Sequence, residues 1–175
     1  MTTIDNESTQ FSLQFSKTQI HCRSTLKCKF MIGNWLGFYR YNNKHIQKIK
    51  GFDKTYFSLT INSFDGNNFK GTVTDDTSTG GMEGTGEVIG NIENEKIFFR
   101  KFMHKKTFII DTKGTRKISD VPHPTLYYSG TFTPDKMEIN GDWKFNYTIG
   151  FLFGFIPIPY RPAKGTWNIH LVKDK

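Results

Sequence analysis

The feature of this chain that most constrains its fold is a repeated alternation in which glycine shares one face of a short strand with large rings. Gly33, Trp35, Gly37 and Tyr39 fall on one parity, as do Phe69, Gly71, Val73 and Asp75. The pattern returns in Tyr128, Gly130 and Phe132, in Ile139, Gly141 and Trp143, and in Gly165, Trp167, Ile169 and Leu171. A period of two puts each set on one side of a strand. Inside a narrow barrel, a glycine makes room for a ring projecting from another strand and lets its own strand bend. A flat sheet offers no reason for such repetition, so these faces are assigned to a barrel interior.

Eight strands are predicted, at about residues 31 to 41, 55 to 63, 68 to 75, 82 to 91, 95 to 104, 125 to 133, 136 to 147 and 164 to 173. Tight links such as Asp65-Gly66-Asn67 and Asn91 to Asn94 imply hairpins between sequential neighbours. The expected fold is therefore all-β, a single antiparallel up-and-down barrel of about eight strands. Closure removes the exposed edges and leaves an interior just large enough for side chains or one small ligand. No helical period is sustained beyond Phe30, so helix is not expected there.

At 175 residues the chain suits one core, and 23% charged with 36% hydrophobic residues marks a folding sequence rather than a disordered one. The 15% aromatic content against only 6 prolines favours pleated strands. Residues 1 to 29 are polar and Ser/Thr-rich and read as an N-terminal extension, and 30 to 175 as the barrel domain.

The net charge of +8 is read as solubility rather than as an anionic partner, because the lysines are scattered among Asp, Asn and Thr. The denser cluster Lys44 to Lys54 is expected as a basic loop at the rim, and Arg100 to Lys106 lies on a strand. Neither carries a specific nucleic-acid signature. Cys22 and Cys28 lack the spacing and companions of a zinc site, and no apolar leader precedes them. Free thiols in a reducing, cytoplasmic compartment are expected. The longest apolar run, Ile149 to Tyr160, is broken by glycine and proline and is too short to be a transmembrane segment.

The residues also carry a resemblance. Gly33-Asn34-Trp35 resembles the Gly-x-Trp opening of lipocalins and other calycins, and Gly165-Thr166-Trp167 closes the chain similarly. Between them stand Phe69-x-Gly71, Asp75 or Asp76, Gly84 to Gly90, Ile97-x-Phe99-x-Lys101, Tyr128-x-Gly130 and Ile139-x-Gly141-x-Trp143. That order over about residues 31 to 173 resembles a widespread group of small calycin-like (lipocalin/avidin-type) barrel proteins. The resemblance implies the fold and brings no established chemistry. Two segments depart from it, Thr107 to Pro124 and Ile149 to Pro162, and both could form lids.

Asp75 and Lys101 are the charged residues on faces assigned to the interior, and a buried charge demands a partner. The plainer expectation is an end-of-strand carboxylate in a turn and a snorkelling lysine. The sharper one is that the two meet inside or at the mouth of the barrel and orient a polar group of a ligand, with Trp35, Tyr39, Tyr128 and Trp143 around it. The one histidine adjacent to a cysteine, His21 beside Cys22 in the polar extension, is read as a chance surface pair, and no paired carboxylates, metal-ligand spacing or cofactor motif stand out. His170, the one histidine a haem could use in the last strand, has outward parity. The glycine-rich stretch Thr77 to Gly86 has no following lysine-Ser/Thr pair and is expected as a flexible hairpin at the rim rather than a phosphate loop.

The leading functional expectation is non-enzymatic binding of a small, partly apolar ligand inside an aromatic-lined barrel. The alternative is a protein-interaction or oligomerisation domain with a filled barrel, whose apolar loop 149 to 160 forms a homodimer through Phe151, Phe153 and Phe155. Packing volume separates the two. An enzyme acting on a hydrophobic substrate would need Asp75 or Lys101 to be perturbed and accessible.

Overall fold

The computed structural model describes residues 30–109, 115–120, 122–146, 148–152, 156–160 and 163–173. The N-terminal extension, with His21, Cys22 and Cys28, lies outside them, as do Phe153 and Phe155.

Eight strands close into one antiparallel barrel. They are β1 (Gly33–Tyr41), β2 (Thr55–Phe64), β3 (Asn68–Asp75), β4 (Thr85–Glu93), β5 (Lys96–Phe102), β8 (Leu126–Phe132), β9 (Glu138–Phe145) and β12 (Lys164–Leu171). Each pairs with its neighbour in that order and β12 returns to β1, with Tyr39 opposite Trp167 and Trp35 opposite Leu171. This is the predicted up-and-down barrel.

The predicted inner parity is the observed one. Trp35, Tyr39, Phe69, Val73, Tyr128, Phe132, Ile139, Trp143, Trp167 and Ile169 are all buried, while Asn34, Arg40, Thr166 and His170 face outward. Glycine does what its spacing suggests. A Cβ on Gly130 would lie 2.7 Å from Trp167 Cζ2, and one on Gly165 would lie 2.6 Å from Trp143 Nε1. Both indoles lie in space that only hydrogen atoms leave open.

Two corrections and one addition concern the connections. The segment expected as a basic rim loop folds into a helix, α1 (Lys44–Lys50). Asn43 caps it by accepting from the His45 and Ile46 N–H groups, Lys48 and Lys50 complement its C-terminal dipole, and Gly51 ends it at φ +78°. Two turns are too short to show a period, so capping alone signalled it. The glycine-rich stretch begins with a 3₁₀ turn (Thr77–Thr79) instead of a flexible hairpin, and the fourth strand starts at Thr85. Asp76 caps that turn, and the Ser78 hydroxyl and backbone N–H hold its carboxyl below the usual range. Gly81 passes so close that a Cβ there would sit 2.5 Å from that of Asp75. Finally, each of the two segments expected as lids is largely taken up by a β-ribbon: β6 (Lys106–Ile109) pairs with β7 (Arg116–Ser119), and β10 (Thr148–Leu152) with β11 (Ile156–Tyr160).

Meander topology sorts these connections by end. The links β2–β3, β4–β5 and β8–β9 are tight turns at one end, with Gly66 at φ +104°, Asn94 and Glu95 at φ +47° and +68°, and Lys136 at φ +58°. The second of these, Asn94 and Glu95, overlaps the predicted Asn91 to Asn94 link only at Asn94. The links carrying α1, the 3₁₀ turn, the β6–β7 ribbon and the β10–β11 ribbon all leave from the other end. That end is called the mouth below.

Candidate functional site: the loop-bearing mouth

β3 ends and β5 nears its end at the mouth, so their inward residues Asp75 and Lys101 reach the same level of the barrel. Lys101 Nζ donates to Asp75 Oδ1. Both are buried, which overturns the plainer expectation of a turn carboxylate and a snorkelling lysine. The reason is steric: Lys101 is walled in by neighbouring strands, and its ammonium lies 5.6 Å from the Tyr39 ring and 5.8 Å from the Phe57 ring. The other carboxylate oxygen, Oδ2, accepts from the Tyr39 hydroxyl at 3.4 Å and the Met82 N–H at 3.3 Å. No buried side-chain polar atom among the described residues lacks a partner. The pair is therefore satisfied by the protein itself, and both of its carboxylate oxygens are engaged.

Of the six predicted site residues, Tyr39, Asp75, Lys101 and Trp143 come together here. Tyr39 and Trp143 meet edge to face at 5.8 Å, and the Trp143 indole N–H donates to the Arg40 carbonyl at 3.1 Å. Tyr128 stands opposite Trp143 in the ladder, stacked on Phe99 at 4.5 Å and edge-on to Trp167 at 5.6 Å. Trp35 is turned toward the tight-turn end, where its indole donates to the Met31 carbonyl at 3.1 Å. Burial raises the Tyr39 and Tyr128 phenols well above their ordinary pKa, and the Asp75 charge adds to this in both. Both hydroxyls stay neutral at physiological pH.

The barrel's depth is filled. Trp35, Trp143, Trp167, Phe69, Leu59, Ile61, Ile97, Ile139 and Ile169 are among its fully buried side chains. At the mouth a pocket of about 110 Å³ remains, lined by Tyr39, Tyr41, Ile46, Lys50, Gly80, Gly81, Met82, His123, Leu126 and Phe145. That is well below the roughly 300–1,000 Å³ of ordinary small-molecule sites. A broad groove of about 820 Å³ runs instead over the outer wall past Phe98, Arg100, Tyr127, Lys144 and Lys164.

Sequence reasoning did not single out Tyr41, Lys50, Met82, His123 or Phe145 as pocket residues. Tyr41 shares the parity of Tyr39 and Phe145 that of Trp143, so both were within reach. Lys50, Met82 and His123 stand on connections, whose path no periodicity announces. His123 is anchored by its N–H to the Met103 carbonyl at 3.0 Å, and its ring lies 5.2 Å from that of Phe145. His170 is exposed, as its parity required. No cluster of three metal-ligating side chains occurs among the described residues, and none of their helices is long and apolar enough to cross a membrane.

No family model matches this chain, and neither does any curated protein or solved structure. Its function has to be read from its own geometry.

Proposed function

We propose that the protein is a non-enzymatic binding module that takes the head group of a small, partly apolar ligand at the loop-bearing mouth of a calycin-like barrel, not in the barrel's depth. The observation that carries this reading is that all four long connections leave from one end, where three of them, through Ile46 and Lys50, Gly80 to Met82, and His123, border an aromatic-walled pocket beside a buried, fully satisfied ion pair. Asp75 and Lys101 then serve as the floor that fixes Tyr39, and Tyr39, Tyr41 and Phe145 make the contact. A buried pair with both carboxylate oxygens engaged supports positioning rather than proton transfer to a substrate.

Native mass spectrometry on protein purified without denaturation tests this, compared with the mass after denaturation. A co-purifying adduct of a few hundred daltons that is lost in Tyr41→Leu supports mouth binding. A bare mass, and no mouth resonance shifted by any of a set of small amphipathic probes, would refute it.

The filled interior supports a second reading, an interaction domain that uses the β10–β11 ribbon. Pro157 and Pro159 stand opposite Phe151 and Ile149. A proline fits a ladder only where its nitrogen faces away from the partner strand, so the outer edge of β11 has no donors at those positions. The N–H groups of Ile149 and Phe151 accordingly point outward from β10, an edge able to pair with β10 of a second copy. Light scattering on wild type and Phe151→Pro distinguishes the outcomes: a dimer abolished by the proline supports this reading, and a monomeric wild type at high concentration excludes it.

A further inference from the structure

We propose that the mouth pocket is an aromatic cage for a cationic head group, and that the chain's own Lys50 occupies it in this structure; the proposal rests on the mouth-binding reading above. Lys50 is the last residue of α1. Its ammonium lies 4.7 Å from the centroid of the Tyr41 ring and 5.3 Å from that of Tyr39, and it donates to Thr55 Oγ1 at 3.4 Å. A cation within about 6 Å of a ring face is held by the ring's quadrupole. Two tyrosines therefore share one ammonium at the mouth.

The walls are built to keep that geometry. Tyr41 meets Trp143 edge-on at 4.8 Å and 87°, and Trp143 is packed in turn against Tyr39 and against Phe145 at 5.6 Å. The indole N–H is tied to the Arg40 carbonyl, so the rings cannot turn independently. Asp75, which accepts from the cage residue Tyr39, is also engaged by Lys101 and Met82. The ring faces of Tyr39 and Tyr41 are the recognition elements of the cage. Ring faces favour a weakly hydrated cation, and a methylated ammonium loses less on leaving water than a primary amine does.

The occupant is also replaceable. No residue of the seven-residue α1 is buried, and a helix this short has little stability of its own. Besides Lys50 it is tethered through Gln47, which accepts from the Tyr41 N–H at 2.8 Å and donates to the Phe52 carbonyl. A ligand's alkylammonium group entering the cage would displace Lys50 and release the end of α1, linking occupancy of the mouth to the position of the helix.

The test titrates full-length wild type and Lys50→Ala with tetramethylammonium and, separately, with the neutral 2,2-dimethylpropanol, following the Trp143 indole N–H by NMR. Removing the internal occupant is expected to tighten tetramethylammonium binding by about tenfold. The alcohol should bind more weakly than the cation, and Tyr41→Leu added to Lys50→Ala should abolish the gain. Equal cation affinity in wild type and Lys50→Ala overturns the proposal, because Lys50 is then not the occupant. If the alcohol binds Lys50→Ala as well as the cation does, the pocket is merely apolar: the cation inference falls and mouth binding stands. If neither probe shifts Trp143 in either protein, both fall.

Discussion

Lys101 and Asp75 form an ion pair with almost no access to water: Lys101 is 1% exposed and Asp75 4%. Two strand ends bring them together across 26 residues of sequence. The Tyr39 hydroxyl and the Met82 N–H complete the carboxylate's bonding.

Such a pair is costly to break and cheap to replace. Lys101→Met leaves a buried carboxylate without its cation and is expected to destabilise the fold by about 3–5 kcal/mol. The double variant Lys101→Met/Asp75→Leu removes both charges and should recover most of that loss. Urea denaturation of the two single variants and the double variant gives the coupling directly. A double variant as unstable as the worse single one would mean that the pair specifies the mouth's structure beyond its charge.

The dovetail between Gly130 and Trp167 gives a second prediction. A methyl group on Gly130 meets the indole at 2.7 Å and the Ile139 side chain at 3.0 Å. Gly130→Ala should cost about 1–3 kcal/mol through overpacking. In a Trp167→Phe background the ring is smaller and the penalty should shrink by more than about 0.5 kcal/mol. Equal penalties in the two backgrounds would place the strain in the backbone, near the Asn140 carbonyl, instead of in the ring.

Alkaline pH should unfold the protein through its buried phenols. Burial holds the Tyr39 and Tyr128 hydroxyls well above their ordinary pKa of 10.0. Below about pH 10 both folded and unfolded chains keep these protons, so stability does not depend on them. Above it the unfolded chain ionises while the folded one resists, and stability falls by about 1.4 kcal/mol per pH unit for each tyrosine. The loss continues until the folded-state values are reached. Phenolate absorbance should show two tyrosines ionising only with unfolding, and Tyr39→Phe should lower the steepness of the decline.

The cap of α1 can be tested locally. Asn43→Ala removes the acceptor for the His45 and Ile46 N–H groups and should weaken the helix by about 1 kcal/mol. Hydrogen exchange in α1 is then expected to quicken about fivefold, while β1 and β2 on either side keep their protection. Faster exchange throughout the barrel would show that the helix supports the core.

What the sequence determined by itself is the barrel. Period-two alternation assigns a face to each residue and short turns make sequential neighbours pair, so local information is nearly sufficient for an up-and-down meander. Glycine opposite tryptophan was legible for the same reason, since parity alone puts Gly130, Gly141 and Trp167 inside. Asp75 and Lys101 could be placed on the inner face, but their contact was decided by strand stagger around the closed barrel, which no single strand encodes. The mouth pocket is legible only on its strand side, where parity places Tyr39, Tyr41 and Phe145 inward; the rest belongs to the tertiary structure. Lys50, Met82 and His123 stand on connections between strands, and their paths are set by caps, a 3₁₀ turn and contacts with residues far along the chain. How nearly the rings fill the interior was also beyond the sequence, because free volume is the small difference between a barrel's capacity and the side chains packed into it.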